Sequence, residues 1–472
     1  MLSFFETSIL FSVFAIFMIG FVWFHLKKEK HAEGFLVADR NLGMWQGAFS
    51  IAVSWVWAPA IFICALQAYT KGLPGIFWFT APNILCFFLF SIVALKIRKL
   101  MPNGYSLPDF IHHRFQGHKG VHLSFLFLAL AYQTGAIVIN AVAGGALLHL
   151  ASGIDIRIAI VSMVGLAFVY SYLSGLKASV FTDVIQMSMI LIFGFILVPW
   201  AIFVSGGFGS VTKGFAGITG EFGNVFDPKI AFAMGIPLTL SLLAGPITDQ
   251  MFYQRAMAVQ KDKITKVFIF GGLIFGVVPI LLSLLGFVGV SLTNDAGLMV
   301  ADPQMVSPLV IQALLPKFAI YLFILMAFAG LCSTMDSAFC AISSLGAVDI
   351  FRRYFNKKPT DEQLLKAARL FMVAGAILGG GIALMQPKLL WVFFIYGAVA
   401  GAGLFPAIFA LFWDKIQAND LFIAIVSSVI IGLPFSVYAN ITESDILIVV
   451  SSVFSVSIGA IICLLRVWLR KA

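Results

Sequence analysis

The chain has 472 residues, of which 61% are hydrophobic and only 11% charged; it contains 49 Phe and carries a net charge of +9. Soluble domains hold about a quarter of their residues as charges, so this composition excludes a soluble enzyme or nucleic-acid binder and places the chain in a lipid bilayer. In a membrane chain a basic excess reports orientation first, and neither a nucleic-acid partner nor an obligate protein partner is indicated.

Apolar runs of about 20 residues, enough to cross the hydrocarbon, recur from end to end. The first, Phe5 to Leu26, is followed by Lys27, Lys28, Glu29 and Lys30 rather than a small-residue cleavage pattern, so it reads as a retained helix. The predicted spans are 5–26, 44–70, 75–98, 120–150, 156–173, 178–204, 230–254, 267–292, 307–350, 362–386, 389–413, 420–438 and 446–468, thirteen crossings of an all-α integral membrane protein forming one domain over 1–472. With the N-terminus outside, 24 of the 30 Lys and Arg fall on the cytoplasmic side, including Arg255, Arg352 and Arg353. That bias predicts a cytoplasmic C-terminus in a plasma (bacterial inner) membrane protein.

Two external connections stand out. The glycine-rich stretch Ser205 to Lys229 is expected to order partly as a lid, and Pro308 to open a short surface helix with Leu309, Ile311, Leu314 and Leu315. The five cysteines lie inside apolar runs without metal-site spacing, and the seven histidines read as solvated or interfacial.

Two spans look interrupted. Pro59 follows SWVWA in 44–70, and Pro237 with the Gly245-Pro246 pair falls in 230–254. A proline removes a helical hydrogen bond, and in lipid such a break survives only where protein or a cavity satisfies the freed groups. The breaks are five helices apart, which predicts a five-plus-five inverted repeat: 44–204 as core helices one to five and 230–413 as six to ten, with 5–26 added before and 420–468 after.

The segment Ala327 to Phe351, AFAGLCSTMDSAFCAISSLGAVDIF, is apolar yet rich in hydroxyls. At helical spacing Ser333, Asp336, Ser337, Cys340 and Ser344 share one face, away from Leu331, Phe339 and Leu345. Asp183 and Asp336 are the deepest acids, and intramembrane acids are functional candidates by default. Acids beside hydroxyls make an oxygen-rich setting suited to a small hard cation; a hydrogen-bonded structural carboxyl is the other reading, and single Ser or Thr residues often just bond within their helix.

STMDS followed by ISS and DIF, SGLKASVFTDVIQ, and TDQMFYQRAMA together resemble the eighth, fifth and sixth core helices of the sodium:solute symporters, and SWVWA with GLPGIFWF looks closest to the active urea transporters among them. The resemblance implies a LeuT-type fold. It implies a coupling Na+ held by carbonyls of Ala52, Trp55 and Gly330 and hydroxyls of Ser333 and Thr334, with no organic cofactor. It implies a second cation site or ion exit at Asp183, Asp336 and Ser337. Asp336 departs from the family's serine, so either it strengthens a cation site or it titrates and couples a proton. Family geometry places the substrate beside the breaks, at Ser54, Trp55, Trp57, Gln67, Trp78, Asn83, Gln133, Asn140, Leu242 and Gly245, where the tryptophans either stack on a flat solute or serve as packing. Phe79 and Leu242 stand where sugar-transporting members have polar residues, which argues against a hexose.

The expected function is sodium-coupled symport of a small polar organic solute by alternating access. The alternatives are proton coupling on the same fold and a solute sensor without transport, the latter weakened because the chain ends directly after its last helix. No metal pattern or nucleophile-base pair within the spans points to an enzyme.

Overall fold

In hydrocarbon every main-chain N–H and C=O must find its partner within the chain, so the apolar runs become helices. The computed structural model describes residues 3–25, 29–442 and 444–470, and among these twelve helices are long and apolar enough to cross a bilayer. Lys27, Lys28 and Lys471, three residues of the orientation count, lie outside the described residues.

One of the twelve, Pro59–Leu100, has 42 residues. At 1.5 Å per residue that is about 63 Å of helix, twice the hydrocarbon thickness. It is two crossings joined at Gly72, whose φ of 60° and ψ of −146° are not helical. The reversal is tight: a Cβ on Gly75 would come within 2.4 Å of the Gln67 carbonyl oxygen. The helix Met44–Ser54 stops before Pro59 and supplies the first half of a discontinuous crossing, which makes the architecture consistent with about thirteen passes.

The glycine-rich connection over 205–229 is ordered. It forms the helix Phe208–Lys213 and then docks on the Gly72 reversal, with Ile218 N–H donating to the Tyr69 carbonyl at 2.8 Å and Leu73 N–H to the Phe215 carbonyl at 2.9 Å. The short helix expected near Pro308 is Val306–Leu314; it starts before Pro308 and buries Val306, Val310 and Ile311.

The helix Lys317–Ser344 is the centre of the bundle. Every residue from Met326 to Ser344 is buried. Leu331 and Phe339, predicted to lie away from the polar face, are as buried as that face, because helices surround the segment on all sides; Phe339 meets the Phe168 ring edge-on at 6.0 Å. Past Ser344 the helix widens into i+5 hydrogen-bonded turns over Leu345–Phe355.

One histidine corrects its expectation. His122 is fully buried rather than interfacial, with Nδ1 2.7 Å from the Tyr354 hydroxyl and Nε2 3.2 Å from Asp349, whose other oxygen accepts from Ser106 at 2.7 Å.

Candidate functional site: two helix breaks around a buried polar helix

The first break falls where the proline predicts. Pro59 has no N–H to offer the Trp55 carbonyl four residues back, and Ala60 N–H turns to the Trp57 carbonyl at 2.9 Å, which releases the Val56 carbonyl. Side chains satisfy the rest of the opened turn. Asn140 accepts from Ala58 N–H at 2.9 Å and donates to the Ala136 carbonyl, and the Trp57 indole donates to the Ser54 carbonyl at 3.0 Å.

Thr334 faces this break. Its hydroxyl lies 3.4 Å from the Ser54 carbonyl, 3.2 Å from Val56 and 3.3 Å from Gly330. Four oxygens from two helices thus converge on one buried point. Of the expected ligand set, Thr334 and Gly330 are part of this cluster. The Ala52 carbonyl instead accepts from Trp55 N–H at 3.2 Å, and Ser333 points the other way.

The second break differs from expectation. The helix Ile236–Thr248 runs through Pro246, and the chain opens three residues later at Asp249, with φ −78° and ψ 111°. Asp249 then caps the half-helix Gln250–Ala258 by accepting from Met251 N–H at 2.7 Å, and Gln133 donates to the same carboxyl oxygen at 2.8 Å. Pro237 likewise leaves the helix unbroken, because the wide i+5 turns over Ala231–Gly235 just before it take up the hydrogen bond it cannot make. A carboxylate that caps a fresh helix start is what permits the interruption.

Between the breaks lies a network with no exposure to solvent. Asp183 accepts from Ser333 at 2.6 Å on one oxygen, and on the other from Ser50 at 2.6 Å and Arg255 Nη2 at 3.1 Å. Arg255 also donates from Nη2 to Ser337 at 2.6 Å and from Nε to Ser50 at 3.1 Å. Asp336 accepts from Ser179 at 2.6 Å and from the Tyr170 hydroxyl at 2.7 Å, and Ser337 lies 3.3 Å from it. Asp183, Asp336 and Arg255 are each 0% exposed. The structure therefore brings Asp183, Ser333, Asp336 and Ser337 together, as the sequence suggests.

Arg255 was missed. Counted with the cytoplasmic loop, it is instead the largest fully buried side chain, and it pairs with Asp183. The signal was present in TDQMFYQRAMA, where Arg255 falls six residues beyond Asp249 on a short helix.

Beside the first break is a cavity of about 40 Å³. A single water needs roughly 10–15 Å³ on this measure, so the space suits a few heavy atoms. Its walls are aromatic: Trp55, Trp57, Phe79, Tyr132, Phe275 and Tyr396, with Asn83, Ser241, Leu242 and Gly397 between them. Asn83 is committed, accepting from the Trp55 indole at 2.8 Å and donating to the Phe79 carbonyl at 2.7 Å.

Of the expected pocket residues, Trp55, Trp57, Asn83 and Leu242 line the cavity. Ser54, Gln133 and Asn140 bond within the scaffold instead, and Gly245 packs under the Trp55 and Tyr132 side chains. Gln67 lies at the Gly72 reversal, and Trp78 packs on Gly235; neither lines the cavity. Tyr132, Ser241, Phe275 and Tyr396 went unnoticed because isolated aromatics and serines in apolar helices carry no pattern.

The sodium:solute symporter family model matches residues 35–461. Similar curated proteins include the urea-proton symporter DUR3 of Oryza sativa subsp. japonica, 22% identical over 89% of this chain and 63% of its own length. A probable urea active transporter of Schizosaccharomyces pombe is 23% identical over 90% of this chain and 67% of its own length. The sodium/glucose cotransporter of Vibrio parahaemolyticus is 24% identical over 93% and 85%. The chain thus spans about two thirds of the length of those urea transporters. Among solved structures, a Na+-coupled sialic acid symporter in a substrate-bound outward-open state superposes with a TM-score of 0.79 at 19% identity over 97% of this chain and 96% of the other, a likeness of fold. With a family model covering most of its length and that fold, the chain belongs to the sodium:solute symporter family, multi-pass membrane transporters rather than enzymes.

Proposed function

We propose that the chain is a sodium-coupled symporter for a very small, planar polar solute. The observation that carries the sodium reading is the cluster of the Thr334 hydroxyl with the Ser54, Val56 and Gly330 carbonyls at the first break. Hard oxygen donors suit a small cation, and unwound backbone supplies them without a charged ligand. The small aromatic cavity supports the solute: a planar amide such as urea stacks on indole and phenol faces and finds hydroxyls at Tyr132, Ser241 and Tyr396. The urea transporters among the relatives favour the same class. On this reading 44–204 and 230–413 are inverted repeats, the N-terminus is outside and the C-terminus faces the cytoplasm of a plasma membrane.

The test is uptake of labelled urea into proteoliposomes. An inward sodium gradient should drive it, with a membrane potential adding about 2.3 kcal/mol per charge per 100 mV. Thr334→Ala should raise the half-saturating sodium concentration about tenfold, roughly 1.4 kcal/mol for one lost coordinating oxygen, whereas Ser333→Ala, whose hydroxyl bonds Asp183 instead, should leave it nearly unchanged. Uptake indifferent to sodium and driven by a pH gradient would assign the coupling to protons, the activity named for the rice relative.

A further inference from the structure

The wide turns Leu345–Phe355 end in a feature that the transport reading does not use. Runs of i+5 hydrogen bonding are rare and are mostly a single turn, yet here they extend over eleven residues and carry Arg352 and Arg353 side by side. Both arginines reach across to the short helix Leu107–Arg114, where Arg353 pairs with Asp109 and Arg352 approaches the same carboxylate at 3.6 Å. Asp109 also accepts from Tyr105 N–H, so this one carboxylate is fully engaged.

These residues line an open cavity of about 940 Å³ together with Lys119 and Lys357. Four permanent cations thus surround a single acid. Lys119 and Lys357 are exposed, and the Arg353 Nε is buried with no partner among the described residues. His112, also in the wall, is pulled down to about 4, first by burial and then by the charge of Arg353. It is neutral near pH 7.

We propose that this cavity is a binding site for an anionic phosphate group, held by Arg352 and Arg353 at its floor and by Lys119 and Lys357 at its rim. Guanidinium forks match phosphate oxygens bidentately, and ammonium groups add charge from the side. Two sources share this chemistry: the headgroup of an anionic phospholipid, and a free phosphate compound in the aqueous phase. Either would bridge the end of the central helix to the connection that precedes the helix Lys119–Ser152.

The experiment is a titration of the purified full chain with inorganic pyrophosphate, read by the protein's thermal unfolding midpoint, in nanodiscs of neutral phosphatidylcholine and in nanodiscs containing phosphatidylglycerol. A saturable rise in the midpoint is expected in the neutral discs. Lys119→Gln with Lys357→Gln changes only exposed side chains and should weaken the apparent affinity about tenfold without moving the midpoint in the absence of pyrophosphate. Loss of the pyrophosphate response in the phosphatidylglycerol discs, with a higher starting midpoint, identifies the lipid headgroup as the occupant; a response kept there identifies a soluble anion. No saturable response in neutral discs, or one unchanged in the double variant, overturns the site. Its failure leaves sodium-driven uptake untouched, since none of these residues lies at the breaks.

Discussion

Arg255 and Asp183 show what a single buried residue can decide. Each is 0% exposed, and their contact at 3.1 Å is braced by Ser50 and Ser337. Removing one partner of a buried ion pair costs about 3–5 kcal/mol, whereas replacing both by neutral groups is often tolerated. Arg255→Met should therefore lower the unfolding midpoint sharply, and adding Asp183→Asn should restore much of the loss. Additive effects in that double-mutant cycle would show that the pair does not interact. The two acids were legible in the sequence because charges are scarce inside apolar runs. Arg255 was not, because it stands within a few residues of Lys261, Lys263 and Lys266 and looks like the start of a basic loop. Asn140 was nominated as a pocket residue because family geometry places the substrate beside the breaks. Its partner, the Ala58 N–H, exists only after the break opens.

At the scale of elements, prolines proved an uneven guide. Pro59 marks a true interruption because the residue it deprives, Trp55, is buried and the neighbouring turn reorganises around it. Pro246 leaves its helix intact, and the opening at Asp249 is set by a capping carboxylate and by Gln133 from another helix, a contact over a separation of 116 residues. Such a contact is invisible to any local pattern. The Gly72 reversal is the opposite case, where local chemistry is strict. Its backbone lies in a region close to glycine-only, and a Cβ there would sit 2.2 Å from the Phe215 carbonyl oxygen. Gly72→Ala should thus lower the unfolding midpoint and loosen the external connection, detectable as faster proteolysis between residues 205 and 229. Gly20→Ala, where the added methyl meets nothing within 4 Å, is the matched control. Equal behaviour of the two variants would mean that the reversal is not under steric control.

For the whole molecule, the bilayer made most of the architecture readable. Spans follow from the cost of unpaired backbone in hydrocarbon, and the expected thirteen passes are consistent with twelve long apolar helices among the described residues, one of them two crossings, although two crossings are each interrupted. The proposed orientation is equally a property of the whole chain. A fluorescent protein fused after Ala472 should fold and fluoresce in cells, while a periplasm-dependent phosphatase fused there should be inactive; the reverse pattern would invert the topology. The sequence pointed to Trp55, Trp57, Asn83 and Leu242 but not to the rest of the cavity, since its wall is assembled from six separated stretches and Tyr132, Ser241, Phe275 and Tyr396 are each ordinary in their own helices.

One junction links these scales. Leu42, just before the half-helix Met44–Ser54, donates its N–H to the Ala258 carbonyl and accepts from Gln260 N–H, both at 3.1 Å, at the far end of the half-helix Gln250–Ala258. The two interrupted helices are therefore spliced by main-chain atoms at this junction, in addition to the Arg255–Ser50 side-chain bond between them. The main-chain part of this tie is indifferent to side-chain identity, so substitutions in the aromatic wall leave the joint between the two half-helices in place.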